Sequence, residues 1–166
     1  MRWNRLVRTL FVYTDINVKG GAKSYHFGVG ILSAALKRAG FTTSLCYMYD
    51  HYDPQGLLAR IERESPGLLA FTGDSTQFPY VKKLLDEIGP EVRKRGIVTL
   101  IGWTHASLYP DCINESPYID VLCRGEGEDT IVELVQRLAG GRDFSDVRNL
   151  WVKRAEGEII KDPMRP

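Results

Sequence analysis

Four segments of the 166-residue chain gather glycine with small polar or ionisable side chains. They read Asp15-Ile16-Asn17-Val18-Lys19-Gly20-Gly21-Ala22-Lys23-Ser24, Gly73-Asp74-Ser75-Thr76-Gln77, Gly102-Trp103-Thr104-His105-Ala106-Ser107 and Arg124-Gly125-Glu126-Gly127-Glu128-Asp129. Glycine lets backbone approach a ligand closely, and hydroxyls, carboxamides and an imidazole supply hydrogen bonds. This is chemistry for holding a ligand.

Sharper chemistries fall away on inspection. A nucleotide P-loop needs Gly-x-x-x-x-Gly-Lys-Ser/Thr, and Ala22 stands where the glycine before Lys23 belongs. The first segment also lacks a Gly-x-Gly-x-x-Gly dinucleotide fingerprint. After Gly125-x-Gly127, the carboxylates of Glu126, Glu128 and Asp129 complement a helix dipole and repel phosphate. A phosphoacceptor receiver would use Asp15 and Asp74, but no second acid adjoins Asp15 and Arg124 replaces the required lysine. There is no serine-hydrolase elbow and no His-Glu-x-x-His zinc motif. The histidines are isolated: His26 falls early in a helix and reads as structural, His51 ends a strand, and His105 is the one placed to face a ligand.

These segments need a scaffold, and the intervening sequence supplies one. Apolar runs at residues 10–14, 44–49, 68–72, 97–102 and 121–123 show little alternation, as strands covered on both faces do. Helical patterns follow each run. The first runs from Tyr25 to Ala39, capped by Ser24 and ended by Gly40. The second opens on Asp53-Pro54, the third carries Phe78, Val81, Leu84, Leu85 and Ile88, the fourth is short and broken by Pro110, and the fifth ends at Gly140-Gly141. The alternation predicts a doubly wound α/β domain with a five-stranded parallel sheet in the flavodoxin-like order 2-1-3-4-5. Residues 150–153 and 159–161 flank Glu156-Gly157 as a C-terminal β-hairpin. In such a sheet, ligands bind beyond the carboxyl ends of the strands, where all four segments fall.

Composition narrows the class further. Lys plus Arg number 22 and Asp plus Glu 21, a net charge of +1 that leaves no broad phosphate-binding face and speaks against nucleic acid. No apolar stretch approaches the roughly 20 residues needed to cross a bilayer. Cys46, Cys112 and Cys123 are odd in number and widely spaced, which fits free thiols in a reducing cytoplasm.

The run Tyr118-Ile119-Asp120-Val121-Leu122-Cys123-Arg124-Gly125-Glu126-Gly127-Glu128, the glycine-containing helix 28–40, and the segments 68–77, 102–107 and 150–160 resemble the N-terminal cobalamin-binding domain of cobalamin-dependent radical S-adenosylmethionine enzymes. The resemblance covers roughly residues 8–162. It implies that the chain binds cobalamin through Asp15, Asn17, Gly20, Gly73, Asp74, Ser75, Thr76, Gly102, Trp103, His105, Arg124, Gly125 and Glu126. It further implies division into a cobalamin-binding unit, 1–148, and a hairpin with the start of a linker, 149–166. The partner would be a radical domain of the same protein, holding S-adenosylmethionine and a 4Fe-4S cluster, since no Cys-x-x-x-Cys-x-x-Cys run occurs here. Methyl transfer or radical chemistry would belong to the full-length enzyme. Two departures from the wider fold family follow. Related cobalamin proteins place a cobalt-ligating histidine where Asn17 stands, and a Gly-Gly pair where Gly102-Trp103 stands. The alternatives are a non-catalytic α/β interaction module that has lost its cofactor, or a degenerate receiver.

Overall fold

In the computed structural model, which describes residues 7–17 and 25–165, seven strands form a single sheet in the order β2-β1-β3-β4-β5-β6-β7. β1 (Arg8–Ile16), β2 (Thr42–Asp50), β3 (Leu68–Thr72), β4 (Val98–Gly102) and β5 (Val121–Cys123) run parallel. Their order is the one the strand–helix alternation predicts. The predicted hairpin forms as β6 (Leu150–Lys153) and β7 (Ile159–Lys161), but it does not stand apart. β6 pairs antiparallel with β5, opposing Cys123 to Leu150, and so lengthens the same sheet.

Alternate residues of the central strands serve two cores, since successive side chains point to opposite faces. Leu10, Val12, Leu69, Phe71, Ile101 and Leu122 meet α2 (Pro54–Glu64) and α3 (Phe78–Lys94) on one face. Phe11, Ala70, Leu100, Val121 and Cys123 meet α1 (Phe27–Arg38) and α5 (Glu128–Ala139) on the other. Each fully buried Leu or Phe stabilises the fold by about 1.5–3 kcal/mol. β2 departs from the doubly covered expectation. It is the sheet's outer strand, and Leu45 is 41% exposed.

The caps follow local chemistry. Asp53 accepts from the Gly56 amide at 2.8 Å, with Pro54 opening α2. Gly40 ends α1 at φ +87°, a conformation that suits glycine. Ser24, the predicted cap of α1, lies outside the described residues. The N-cap residue of α1 is His26, whose Nδ1 accepts from the Val29 amide at 3.2 Å. Pro110 divides the fourth helical segment into α4 (Thr104–Leu108) and a 3-10 turn at Pro110–Asn114.

Candidate ligand site at the carboxyl edge of the sheet

Between the sheet and the α1/α5 layer lies a cavity of about 260 Å³ that reaches the carboxyl edge. Phe11, Ala70, Leu100 and Cys123 form its sheet wall, and Leu32, Ile131 and Leu134 its helical wall. Burial pushes the Cys123 thiol up to about 12, so it remains neutral there. Gly28, Gly102, Gly125 and Gly127 line it as well. A Cβ on Gly127 would sit 3.1 Å from Leu32, so the absent side chain is part of the space.

Most of the predicted site residues fall into two groups. Gly102, Trp103, Gly125 and Glu126 line the cavity. Gly125 turns at φ +69° and donates its amide to Ser107 Oγ at 3.1 Å, tying the fifth loop to the fourth. The Glu126 carbonyl accepts from Asn149 Nδ2 at 2.6 Å. Trp103 adopts φ +87°, ψ −166°, backbone that is essentially glycine's alone.

The others gather at the strand ends towards α3. Asn17, at φ +58°, donates from Nδ2 to the Tyr80 hydroxyl at 2.5 Å. Asp74 Oδ1 accepts from the Thr76 amide at 2.8 Å, the Thr76 hydroxyl at 2.6 Å and the Gln77 amide at 3.0 Å. The Thr76 hydroxyl and these amides hold the Asp74 carboxyl below its ordinary range. Ser75 Oγ and His105 Nδ1 stand 3.0 Å apart and link the third loop to the fourth. The His105 ring stacks on Phe78 at 4.1 Å, and burial lowers its pKa. Gly73 is buried at the start of the third loop.

Asp15 and Arg124 take other positions. The Asp15 carboxylate accepts from the Tyr47 hydroxyl at 2.8 Å on the β2 side. Arg124 lays its guanidinium over the Trp151 ring, 5.3 Å from its centroid, outside the cavity lining. Gly20 lies outside the described residues. Among the described residues, no group of three or more His, Cys, Asp or Glu could hold a metal ion.

Two polar residues hold the site in ways their sequence positions do not show: Gln77, which falls in the third segment, and His26, which reads as structural. Gln77, 7% exposed, bonds both backbone groups of Ile16 at the end of β1. His26 puts Nε2 3.0 Å from Thr72 Oγ1 and sets its ring edge-on to Trp103 at 4.2 Å. Burial lowers its pKa and favours the neutral ring that can accept from Val29. Their long-range contacts have no local signature, because Thr72 lies 46 positions from His26 and Ile16 lies 61 from Gln77. Gly28 did have one: glycine inside a helix costs about 1 kcal/mol relative to alanine and calls for a packing reason.

Comparison with known proteins adds to this geometry. A family model described as B12 binding domain matches residues 13–135. The chain is 25% identical over 169 residues to the anaerobic magnesium-protoporphyrin IX monomethyl ester cyclase of Rubrivivax gelatinosus, covering 96% of this chain and 30% of that protein. Among solved structures it resembles the cobalamin-dependent S-adenosylmethionine radical enzyme OxsB with aqua-cobalamin and S-adenosylmethionine bound, at TM-score 0.81 and 16% identity, covering 96% of this chain and 22% of that one. It also resembles the radical S-adenosylmethionine methyltransferase TsrM of Kitasatospora setae with cobalamin and a [4Fe-4S] cluster bound, at TM-score 0.77 and 20% identity over 96% of this chain and 29% of that one. At these identities the two structures establish likeness of fold.

Proposed function

The chain belongs to the B12-binding domain family, and from that premise we propose that it holds cobalamin at the carboxyl edge of its sheet. The observation that carries this reading is the cavity between the sheet and α1/α5. Its 260 Å³ and apolar walls suit one flat aromatic group, such as the base of a nucleotide tail, and are too small for a corrin ring. The residues present therefore fit the tail of the cofactor. The polar loops at the same edge offer hydrogen-bond partners for the rest.

Bound there, cobalamin supplies a cobalt centre that can carry a methyl group or take part in radical chemistry. The chain's own residues bind and orient. Gln77 fixes the end of β1, Asp74 fixes the start of α3, and the Ser75–His105 contact joins two loops. Asn17 offers a carboxamide, a poor cobalt ligand, and its Nδ2 is committed to Tyr80. The chain thus presents no imidazole at that position.

We also read the chain as the cofactor-binding part of a radical S-adenosylmethionine enzyme in the cytoplasm, with residues 1–148 as its cobalamin unit and 149–166 leading towards the radical domain. Supporting this are the cyclase and radical-enzyme relatives, of which the chain spans 30% or less, and three free cysteines. Because β6 and β7 extend the same sheet, the connection would begin after Lys161. S-adenosylmethionine and a 4Fe-4S cluster would be held by that other domain. No helix among the described residues is long and apolar enough to cross a membrane.

Titration of the purified chain with hydroxocobalamin, followed by the corrin's visible bands and by retention through gel filtration, tests the reading. Saturable spectral change is the expected result. No change and no retention at millimolar cofactor overturns it.

A further inference from the structure

Trp103 occupies a backbone conformation that excludes most side chains, and its indole stands at the open end of the cavity. The ring lines the cavity yet is 45% exposed, which places it at the rim. It spans from the end of β4 to the first turn of α1. There a Cβ on Gly28 would lie only 2.6 Å from Trp103 Cζ3, so the absent side chain of Gly28 is the seat of the indole. His26 holds the same ring edge-on at 4.2 Å. Gly102 and Gly125 form the wall beside it. A group entering from the edge of the sheet beside Gly102 and Gly125 meets this indole.

We propose that Trp103 is a specificity-determining gate, seated on Gly28, that selects among corrinoids by the bulk of their lower nucleotide. The inference rests on the corrinoid reading above and adds to it a selectivity: a nucleotide tail must displace the indole to reach the cavity, so part of what the tail gains there is lost to the gate, whereas a corrinoid without a tail is unaffected. A gate differs from a stacking platform in which ligands it affects. It penalises only a ligand that enters the cavity, whereas a platform strengthens contact with the corrin that both ligands share.

The test compares hydroxocobalamin with cobinamide, which lacks the nucleotide. Both are titrated into the wild-type chain, Trp103→Gly and Trp103→Phe, with affinity read from the corrin absorption bands and folding from circular dichroism. Trp103→Gly should tighten hydroxocobalamin by about tenfold, a change of the order that removal of one steric block brings to a discriminating site. Cobinamide should stay within about twofold, inside the usual scatter for a contact not made. Trp103→Phe, with a smaller ring on the same seat, should fall between. Weaker binding of both corrinoids to Trp103→Gly, restored in Trp103→Phe, overturns the gate in favour of a platform. Equal changes for the two ligands, or none, overturn it and leave the corrinoid reading standing. Failure of both ligands to bind any of the three proteins removes the corrinoid reading and the gate together.

Discussion

The side-chain amide of Gln77 pairs with the backbone of Ile16 as a neighbouring strand would. The Ile16 amide donates to Oε1 at 3.0 Å, and Nε2 donates to the Ile16 carbonyl at 3.2 Å. The register of β1 with β3 ends at Tyr13, three residues short of Ile16. On that side the last backbone groups of β1 would otherwise be buried without partners. Gln77, at the start of α3, satisfies both and sets where the first loop leaves the sheet.

Gln77→Ala removes both partners and should destabilise the chain by about 1–3 kcal/mol, the cost of leaving buried polar groups unsatisfied. Gln77→Glu keeps the shape but cannot donate when ionised, so it should be less stable at pH 8 than at pH 4.5. Urea midpoints at the two pH values check this. A Gln77→Glu protein as stable as wild type at pH 8 would show that the carbonyl bond is dispensable.

At Trp103 the usual ranking of alanine over glycine should reverse. Alanine keeps the unfavourable φ of +87° and loses the indole contacts, whereas glycine loses the contacts and is at ease in that backbone. Trp103→Gly should therefore be more stable than Trp103→Ala by about 1–2 kcal/mol. Thermal unfolding of the two variants decides it, and equal melting points would mean that the loop relaxes without cost.

Acidification should loosen the start of α1 before the rest of the fold. Burial lowers the pKa of His26 in the folded chain, so unfolding takes up a proton in the imidazole range. The stability tied to the neutral ring is complete above about pH 6.5 and declines as pH falls through the lower folded value. Protonation also removes the Nδ1 acceptor of the Val29 amide. Wild type should lose stability between pH 7.5 and 5.5, and His26→Gln should lose less. Hydrogen exchange at Val29 measures the local effect.

Asp74 acts in a separate, more acidic window. Its carboxyl is held low first by the Thr76 hydroxyl and then by the amides of Gln77 and Thr76. Its contribution is complete above about pH 4 and is lost as pH falls further. The group is exposed, so solvent screens much of the charge effect. Asp74→Ala should cost about 1 kcal/mol at neutral pH through the lost hydrogen bonds to Thr76 and Gln77. Asp74→Asn can still accept the same bonds and should hold most of that stability while flattening the response below pH 4. An Asn variant as weak as the Ala variant would assign the effect to charge.

Cobalamin bound to the chain should be base-off and should lack a protein nitrogen beneath the cobalt. Asn17 holds the position at issue, and His105 turns Nδ1 to Ser75 while stacking on Phe78. Electron paramagnetic resonance of the reduced Co(II) form should show no nitrogen superhyperfine splitting. If splitting appears and disappears in His105→Ala, His105 is the ligand.

The sequence by itself determined the strand order, the position of most helices and the edge on which the loops meet. Those features are local. Unalternating apolar runs mark covered strands, Asp53-Pro54 and Gly40 mark helix ends, and the β-α-β alternation admits few topologies. The same locality explains what stayed hidden. Gly28 and Trp103 are 75 positions apart by number, and nothing near either residue reveals that the helix glycine is the indole's seat. Gln77 reads as one more polar loop residue until β1 is laid beside α3. The four loops look alike in composition, yet folding divides them. The cavity takes Gly102, Trp103, Gly125 and Glu126, while Asn17, Asp74 and Ser75 bond to Tyr80, Thr76 and His105. The β6–β7 hairpin could be read from its turn, but its union with β5 needed the exposed edge that only the assembled sheet presents. Composition carries the kind of ligand chemistry the edge can perform. Which side chains are free for it is settled by long-range hydrogen bonds and packing, which have no local trace in the chain.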